Sequence, residues 1–90
     1  MKRKSEIMEI NGEKLVITEL TVDEMMPLMA MMEKDQNKAQ KEIVGLSVTL
    51  NGASVGSDYI GKMGISSFLP IMKKVMAVNG MEVEEAKGNG

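Results

Sequence analysis

Few side chains in this sequence have the types and spacing that chemistry needs. There is no Cys and no His, so the chain has no thiolate nucleophile, no imidazole acid or base, and no zinc ligands of the usual kind. Two arrangements remain as candidates. The adjacent carboxylates Asp23 and Glu24 could exchange protons, and Ser66-Ser67 with Lys73-Lys74 could form a Ser/Lys nucleophile pair.

Both arrangements have simpler structural explanations. Capping and the helix dipole account for two acidic residues at the start of a helix. Ser66 suits a helix cap, and no glycine motif for an oxyanion hole accompanies it. The glycines between Gly45 and Gly64 match neither the dinucleotide-binding nor the phosphate-binding spacing. We therefore expect a protein that is not an enzyme, with no catalytic residue, no cofactor and no metal site.

Charge and hydropathy argue against two classes of partner. The net charge is −2 and the pI is near 5.1, whereas nucleic-acid binders usually carry a basic face. The basic cluster Lys2-Arg3-Lys4 indicates a solvated start of the chain, and no apolar signal-peptide core follows it. The longest apolar run, residues 25–32, falls far short of the roughly 20 residues that span a bilayer. We expect a cytoplasmic protein that binds neither membrane nor nucleic acid.

The elements that would position these residues begin with a β-hairpin. Residues 5–19 predict two short strands, because Asn11-Gly12 tolerates the positive φ angles of a type I′ turn. A capping box of Thr21 and Glu24 then predicts a helix from Val22 to Lys34. Pro27 predicts a kink in this helix, or a first turn separated from the rest.

Residues 38–50 fit two templates. Their apolar residues lie on one helical stripe, but residues 44–50 also alternate as a strand does. The helical stripe extends back through the charged segment and the alternation does not, which favours the helix. Asn51-Gly52 is then interpreted as a helix C-cap, and residues 53–57 as a loop.

Two further helices complete the prediction. Ser57 is expected to cap a helix from Asp58 to Met63 that stops at Gly64, and Ser66 to cap a last helix that ends at Asn79-Gly80. The predicted fold class is therefore α+β and predominantly helical, with an N-terminal hairpin followed by three to four helices.

This layout predicts one small domain at residues 1–80, with the hairpin at 5–19 and a helical part at 22–80. Residues 81–90 predict a flexible acidic tail. The acidic residues 82–85 within it indicate a solvated segment rather than a site for a divalent ion.

Methionine is the most unusual feature of the composition. The chain has 11 Met but only two aromatic residues, Tyr59 and Phe68. The apolar residues from Met25 to Met32 cover about 220° of a helical wheel, whereas one core-facing stripe needs about 100°. Some of these side chains must therefore face something other than the core of their own chain. A loosely specified core of flexible thioethers is the alternative interpretation.

We interpret this excess as an adaptable apolar surface for a partner protein, because Met side chains repack against varied sequences. Replacing Met29 and Met32 by Asp is expected to abolish binding and to leave the fold intact. The residues of the predicted partner-binding surface are Met25, Met26, Leu28, Met29, Met31, Met32, Phe68, Met72 and Met76.

The order of these segments resembles a known family. After the hairpin come TELTVD at 18–23, KEIVGL at 41–46, a glycine-rich link to DYIGKM at 58–63, and a last amphipathic helix. Over residues 10–80 this layout resembles the small tail assembly chaperones of long-tailed phages, especially those of the Mu-like type. The density of Met in the first helix and Pro27 within it depart from the family's pattern.

The resemblance implies a non-enzymatic chaperone that binds helical segments of the tape measure protein during tail assembly, in the cytoplasm of the host cell. It implies no catalytic residues. Two alternatives stay open. In the first, the same apolar face builds a homo-oligomeric structural component of a virion or tail, and in the second the chain is a small regulatory nucleic-acid binder.

Overall fold

The N-terminal hairpin forms as predicted. The structure is a computed structural model that describes residues 2–81. Strands β1 (Ser5–Ile10) and β2 (Glu13–Thr18) pair antiparallel, with Ile10 opposite Glu13 at the turn. Asn11 and Gly12 between them have φ angles of 50° and 82°. Positive φ at both central positions is what a type I′ turn requires, so the Asn-Gly signal is confirmed.

Helix α1 (Val22–Lys34) has the predicted bounds. The hydroxyl oxygen of Thr21 accepts a hydrogen bond from the Glu24 amide at 3.2 Å, and Glu24 Oε1 accepts one from the Thr21 amide at 2.9 Å. This reciprocal pair is the predicted capping box. Pro27 lies inside α1, and the helix continues through it, so the alternative of a separated first turn is wrong.

The capping box predicts a pH dependence of stability. The hydrogen bond from the Thr21 backbone is the main cause that lowers the pKa of Glu24, with the Thr21 hydroxyl and Arg3 acting in the same direction. Because this pKa is lowered in the folded state, the ionised carboxylate stabilises the fold above the ordinary value of 4.5 and loses that effect as the pH falls through the lowered value.

We expect the free energy of unfolding of Glu24→Gln to lie roughly 0.5 kcal/mol below that of the parent at pH 7, a small value because solvent screens this exposed group. The difference should shrink as the pH falls below 4.5 and through the lowered pKa of Glu24. Urea denaturation of both proteins at pH 7 and at acidic pH measures it. A difference that is the same at both pH values would show that the charge of Glu24 does not contribute.

The sequence prediction is least accurate for the segment after α1. A single residue, Asp35, separates α1 from helix α2 (Gln36–Ser47), and its Oδ1 caps α2 by accepting from the Lys38 amide at 3.1 Å. The helix does not reach Leu50. Residues Val48–Leu50 form strand β3 instead, because β2 offers an unpaired edge to which the β-branched Val48 and Thr49 add.

Asn51-Gly52 is a second hairpin turn and not a helix cap. Its φ angles are 55° and 87°, as in the first turn, and it joins β3 to β4 (Ala53–Ser54). Part of the predicted loop at 53–57 is therefore strand. The four strands form one antiparallel sheet in the order β1-β2-β3-β4, so the region after residue 22 is not helical throughout.

The last two helices form, but the predicted caps at their starts are wrong. Helix α3 (Gly56–Gly61) follows Val55, helix α4 (Ile65–Val78) follows Gly64, and neither start has a side-chain cap hydrogen bond. Ser57 and Ser66 thus lie inside the helices, and Gly64 precedes a helix rather than stopping one.

The end of α4 is as predicted at Asn79-Gly80. The Gly80 amide donates to the Ala77 carbonyl at 3.1 Å, and the Met81 amide to the Met76 carbonyl at 2.7 Å. With Gly80 at φ 74°, this is a Schellman motif. The predicted tail lies outside the described residues, apart from Met81.

The hydrophobic core lies between the helices and one face of the sheet. Alternate residues of the strands point into it, such as Leu15 and Ile17 of β2, while Ile7 and Val16 lie on the opposite, exposed face. This arrangement is an α+β fold, as predicted. The buried apolar residues are Leu15, Ile17, Leu20, Leu28, Ala39, Ile43, Val44, Val48, Ile60, Ile71, Val75 and Val78.

Candidate protein-binding surface

The apolar residues of α1 divide between two faces. Leu28 is buried, and Met25, Met31 and Met32 are half-buried against the core. Val22, Met26 and Met29 are not: 72%, 60% and 48% of their surfaces are exposed. The arc of apolar residues is therefore too wide for one core face, and its remainder points to solvent.

The exposed residues form one line, which we call the α1 stripe: Val22, Met26 and Met29. Their spacing is i, i+4 and i+7, which puts them on one side of a helix with 3.6 residues per turn. Because the opposite side of α1 is anchored by Leu28 and the half-buried methionines, the stripe is held outward by the packing of the helix itself.

A depression of about 300 Å³ lies beside the α1 stripe. Leu20 and Met25 contribute to its lining from the β2–α1 region, and Asn79 and Met81 from the end of α4. Asn79 Oδ1 accepts a hydrogen bond from the Leu20 amide at 2.8 Å, which fixes these two parts of the chain to each other. The stripe thus forms one wall of a mainly apolar groove whose other wall is the C-terminal end of α4.

The residues predicted on α4 do not line this groove. Phe68 and Met72 are half-buried against the core, and Met76 is also half-buried. Phe68 lines a separate depression together with Ile60 and Met63. Of the predicted surface residues, the structure brings Met25, Met26 and Met29 together at the groove and assigns Leu28 to the core.

Sequence reasoning missed Val22, Leu20 and Met81 as members of this surface. Val22 could have been found, because it lies one turn before Met26 on the same helical face. Met81 could not, because it joins the groove only when the end of α4 packs beside the start of α1.

Two side chains of the candidate Ser/Lys arrangement, Ser67 and Lys74, each have a partner in the N-terminal hairpin. Lys74 Nζ pairs with Glu6 at 3.0 Å, and the Ser67 hydroxyl is hydrogen-bonded to Asn11 at 3.4 Å. Elsewhere, Tyr59 donates to Glu13 Oε1 at 3.0 Å, and this hydrogen bond is the main cause that raises the pKa of Tyr59.

Residues 2–81 offer neither a cluster of metal ligands nor a membrane-spanning helix. The acidic side chains there do not gather into a group of three or more that could hold a metal ion, and no helix of this part of the chain is long and apolar enough to cross a bilayer. No protein-family model, curated protein or solved structure matches the chain.

Proposed function

We propose that this chain is a protein-binding module whose groove beside α1 receives an amphipathic helical segment of a partner. One observation carries the proposal: Val22, Met26 and Met29 are large apolar side chains, exposed in a line, on a helix whose other side is packed. Burying an apolar side chain of this size is worth about 1.5–3 kcal/mol. Three such side chains together contribute up to about 9 kcal/mol, which is of the same order as the entropic cost of association, so the other apolar residues of the groove must add to the affinity.

The chemistry of the groove supports a helical occupant. A stripe at i, i+4 and i+7 is the pattern with which one helix contacts another, and thioethers tolerate varied partner side chains. The layout of the sequence resembles that of small tail assembly chaperones. We therefore propose the helical tape measure protein of a long-tailed phage as the partner, with binding in the cytoplasm of the host cell before tail assembly.

The test replaces Met26 and Met29 together by Asp. We expect this variant to bind a co-expressed tape measure protein at least about 100-fold more weakly, because the charges remove the apolar stripe. The fold should be unaffected, since both side chains are exposed. Met32 is not suitable for this test: it is half-buried against the core, so Asp there is expected to destabilise the domain as well.

The matched control is Ile65→Asp with Leu69→Asp, two exposed apolar residues of α4 away from the groove. Calorimetric titration gives the affinities, and circular dichroism reports the fold of each variant. Unchanged binding by the Met26/Met29 variant, or an equal loss in the control, would contradict the assignment of the groove.

A further inference from the structure

The β1 strand is an unpaired edge of the sheet. Hydrogen-bonded pairs alternate along the hairpin from Ile10 and Glu13 at the turn, and the Glu19 amide donates to the Lys4 carbonyl at 2.8 Å in the same alternation. The amide and carbonyl groups of Ser5, Ile7 and Glu9 must therefore point away from β2. No residue in the described range 2–81 pairs with them.

The two edges of the sheet differ in ways that matter for association. β4 has only two residues, and the Ser54 hydroxyl is already bonded to the Leu46 carbonyl at 2.9 Å. β1 has six residues, with no proline and no bulge. Short or irregular edges resist pairing with another strand, while long regular edges favour it. β1 is therefore the edge that can accept one.

We propose that β1 pairs antiparallel with β1 of a second copy of the chain, joining two four-stranded sheets into one of eight strands. This surface lies apart from the α1 groove, so the proposal does not depend on the proposed function. Outward-pointing residues can pair only with outward-pointing residues, which limits the symmetric registers to those centred on single residues.

Side-chain chemistry selects one register. Centring the pair on Glu6 would oppose two carboxylates, and centring it on Met8 would put Ile7 opposite Glu9 of the second copy. Centring it on Ile7 puts Ile7 opposite its own copy and Ser5 opposite Glu9. Of the three registers, this one alone places all the outward-pointing residues of β1 opposite outward-pointing residues of β1 in the second copy.

The exposed face of the sheet favours the same register. Ile7 is 67% exposed, and its cross-strand partner Val16 lies beside it on the face that the helices leave uncovered. Two copies centred on Ile7 would set four β-branched side chains in a row across the joined sheet. The contacts of Ile7 with its copy then cover surface that is open in the monomer.

Charge complements this arrangement. Lys2 and Lys4 precede the strand, Glu9 lies towards its end, and Glu13 follows the turn at the start of β2. Antiparallel pairing centred on Ile7 sets the basic start of each copy alongside the acidic end of the other, whereas parallel pairing would align like charges. Glu6 makes no like-charge contact in this register, because it lies opposite Met8 of the second copy.

The first test is the oligomeric state by analytical ultracentrifugation from micromolar to millimolar concentration. We expect a dimer, and we expect Ile7→Lys to weaken it about 100-fold by opposing two ammonium groups at the centre. The matched control is Ile65→Lys, at an isoleucine of α4 that is also 67% exposed, and this variant should dimerise as the parent does. A monomeric parent, a dimer that survives Ile7→Lys, or a dimer lost in Ile65→Lys would overturn the proposal.

A second test determines the register by cysteine cross-linking, which is possible because the chain has no natural Cys. In the proposed dimer the two Cα atoms of residue 7 are about 5.5 Å apart, within disulfide range. Those of residue 5 are about 14 Å apart, four residues along a strand. Ile7→Cys should therefore oxidise rapidly to a covalent dimer while Ser5→Cys does not. Faster cross-linking of Ser5→Cys would overturn the register.

Discussion

Replacing Gly45 by Ala is expected to destabilise the fold by about 3 kcal/mol, the largest effect we predict for a single methyl group. Gly45 is buried in α2 where α3 begins. A Cβ atom there would lie 2.7 Å from both the Gly56 carbonyl oxygen and the Ser57 amide nitrogen. These are backbone atoms, and Gly56 is held at φ 86°, so they cannot move aside as a flexible side chain could. The overlap outweighs the gain of up to about 1 kcal/mol that Ala brings to a helix.

The matched control is Gly61→Ala in α3. The nearest atom to a Cβ at Gly61 is Lys41 Cδ at 3.7 Å, which is ordinary van der Waals contact. Thermal denaturation followed by circular dichroism suits a chain without Trp. For a domain of this size the Gly45 variant should melt about 12–24 °C lower, and the control within a few degrees of the parent. Equal melting temperatures for the parent and Gly45→Ala would show that α2 and α3 can separate without cost.

Asn79→Ala is expected to have the second largest effect on stability, a loss of about 2 kcal/mol in the free energy of unfolding. Asn79 lies at the end of α4 and its amide group connects three parts of the chain. Its Oδ1 accepts from the Leu20 amide at 2.8 Å, and its Nδ2 donates to the Val75 carbonyl at 2.9 Å and to the Ser47 hydroxyl at 3.4 Å. Truncation leaves the part-buried Leu20 amide without its acceptor.

Variants of Ser47 and Asn79 together measure the energetic coupling between the two residues. Ser47 is the fully buried polar residue of α2, and its hydroxyl donates to the Thr18 carbonyl at 2.6 Å. We expect Ser47→Ala to cost about 1 kcal/mol, and the double variant less than the sum, since both residues belong to one network. Exposed Asn37→Ala is the control and should be neutral. Strict additivity of the two losses, measured by urea denaturation, would refute a shared network.

The hydrogen bonds of Asn79 also hold the two sides of the groove together. Leu20 and Asn79 line its two sides, and their hydrogen bond holds the start of α1 against the end of α4. The hydrogen bond therefore sets the spacing of the two walls of the groove, while the packing of α1 sets the direction of the α1 stripe. Binding measured on Asn79→Ala should therefore weaken even under conditions in which the variant remains folded.

Short sequence patterns were sufficient to predict three features: the first turn, the start of α1 and the end of α4. Asn11-Gly12 specifies its turn through two positive φ angles, and the box of Thr21 and Glu24 specifies the start of α1 through two hydrogen bonds three residues apart. Gly80 specifies the end of α4. Each of these interactions joins residues that are close together in the sequence, so it can form without contacts from the rest of the fold.

Residues 48–54 show where such reasoning stops. Val48–Leu50 can extend a helix or form a strand at similar local cost, and Asn51-Gly52 can end a helix or turn a hairpin. The free edge of β2, some 30 residues earlier in the chain, decides between them by pairing with Val48 and Thr49. No pattern within the segment contains that information.

Two kinds of information define the candidate binding surface. The sequence alone established that the apolar arc of α1 is wider than one core contact can cover, because the positions on a helix follow from its period. Only the tertiary structure decided that Leu28 faces inward while Met26 and Met29 face outward, because that depends on where α2 and the end of α4 pack. Composition and helical period are local properties, but exposure is a property of the whole fold.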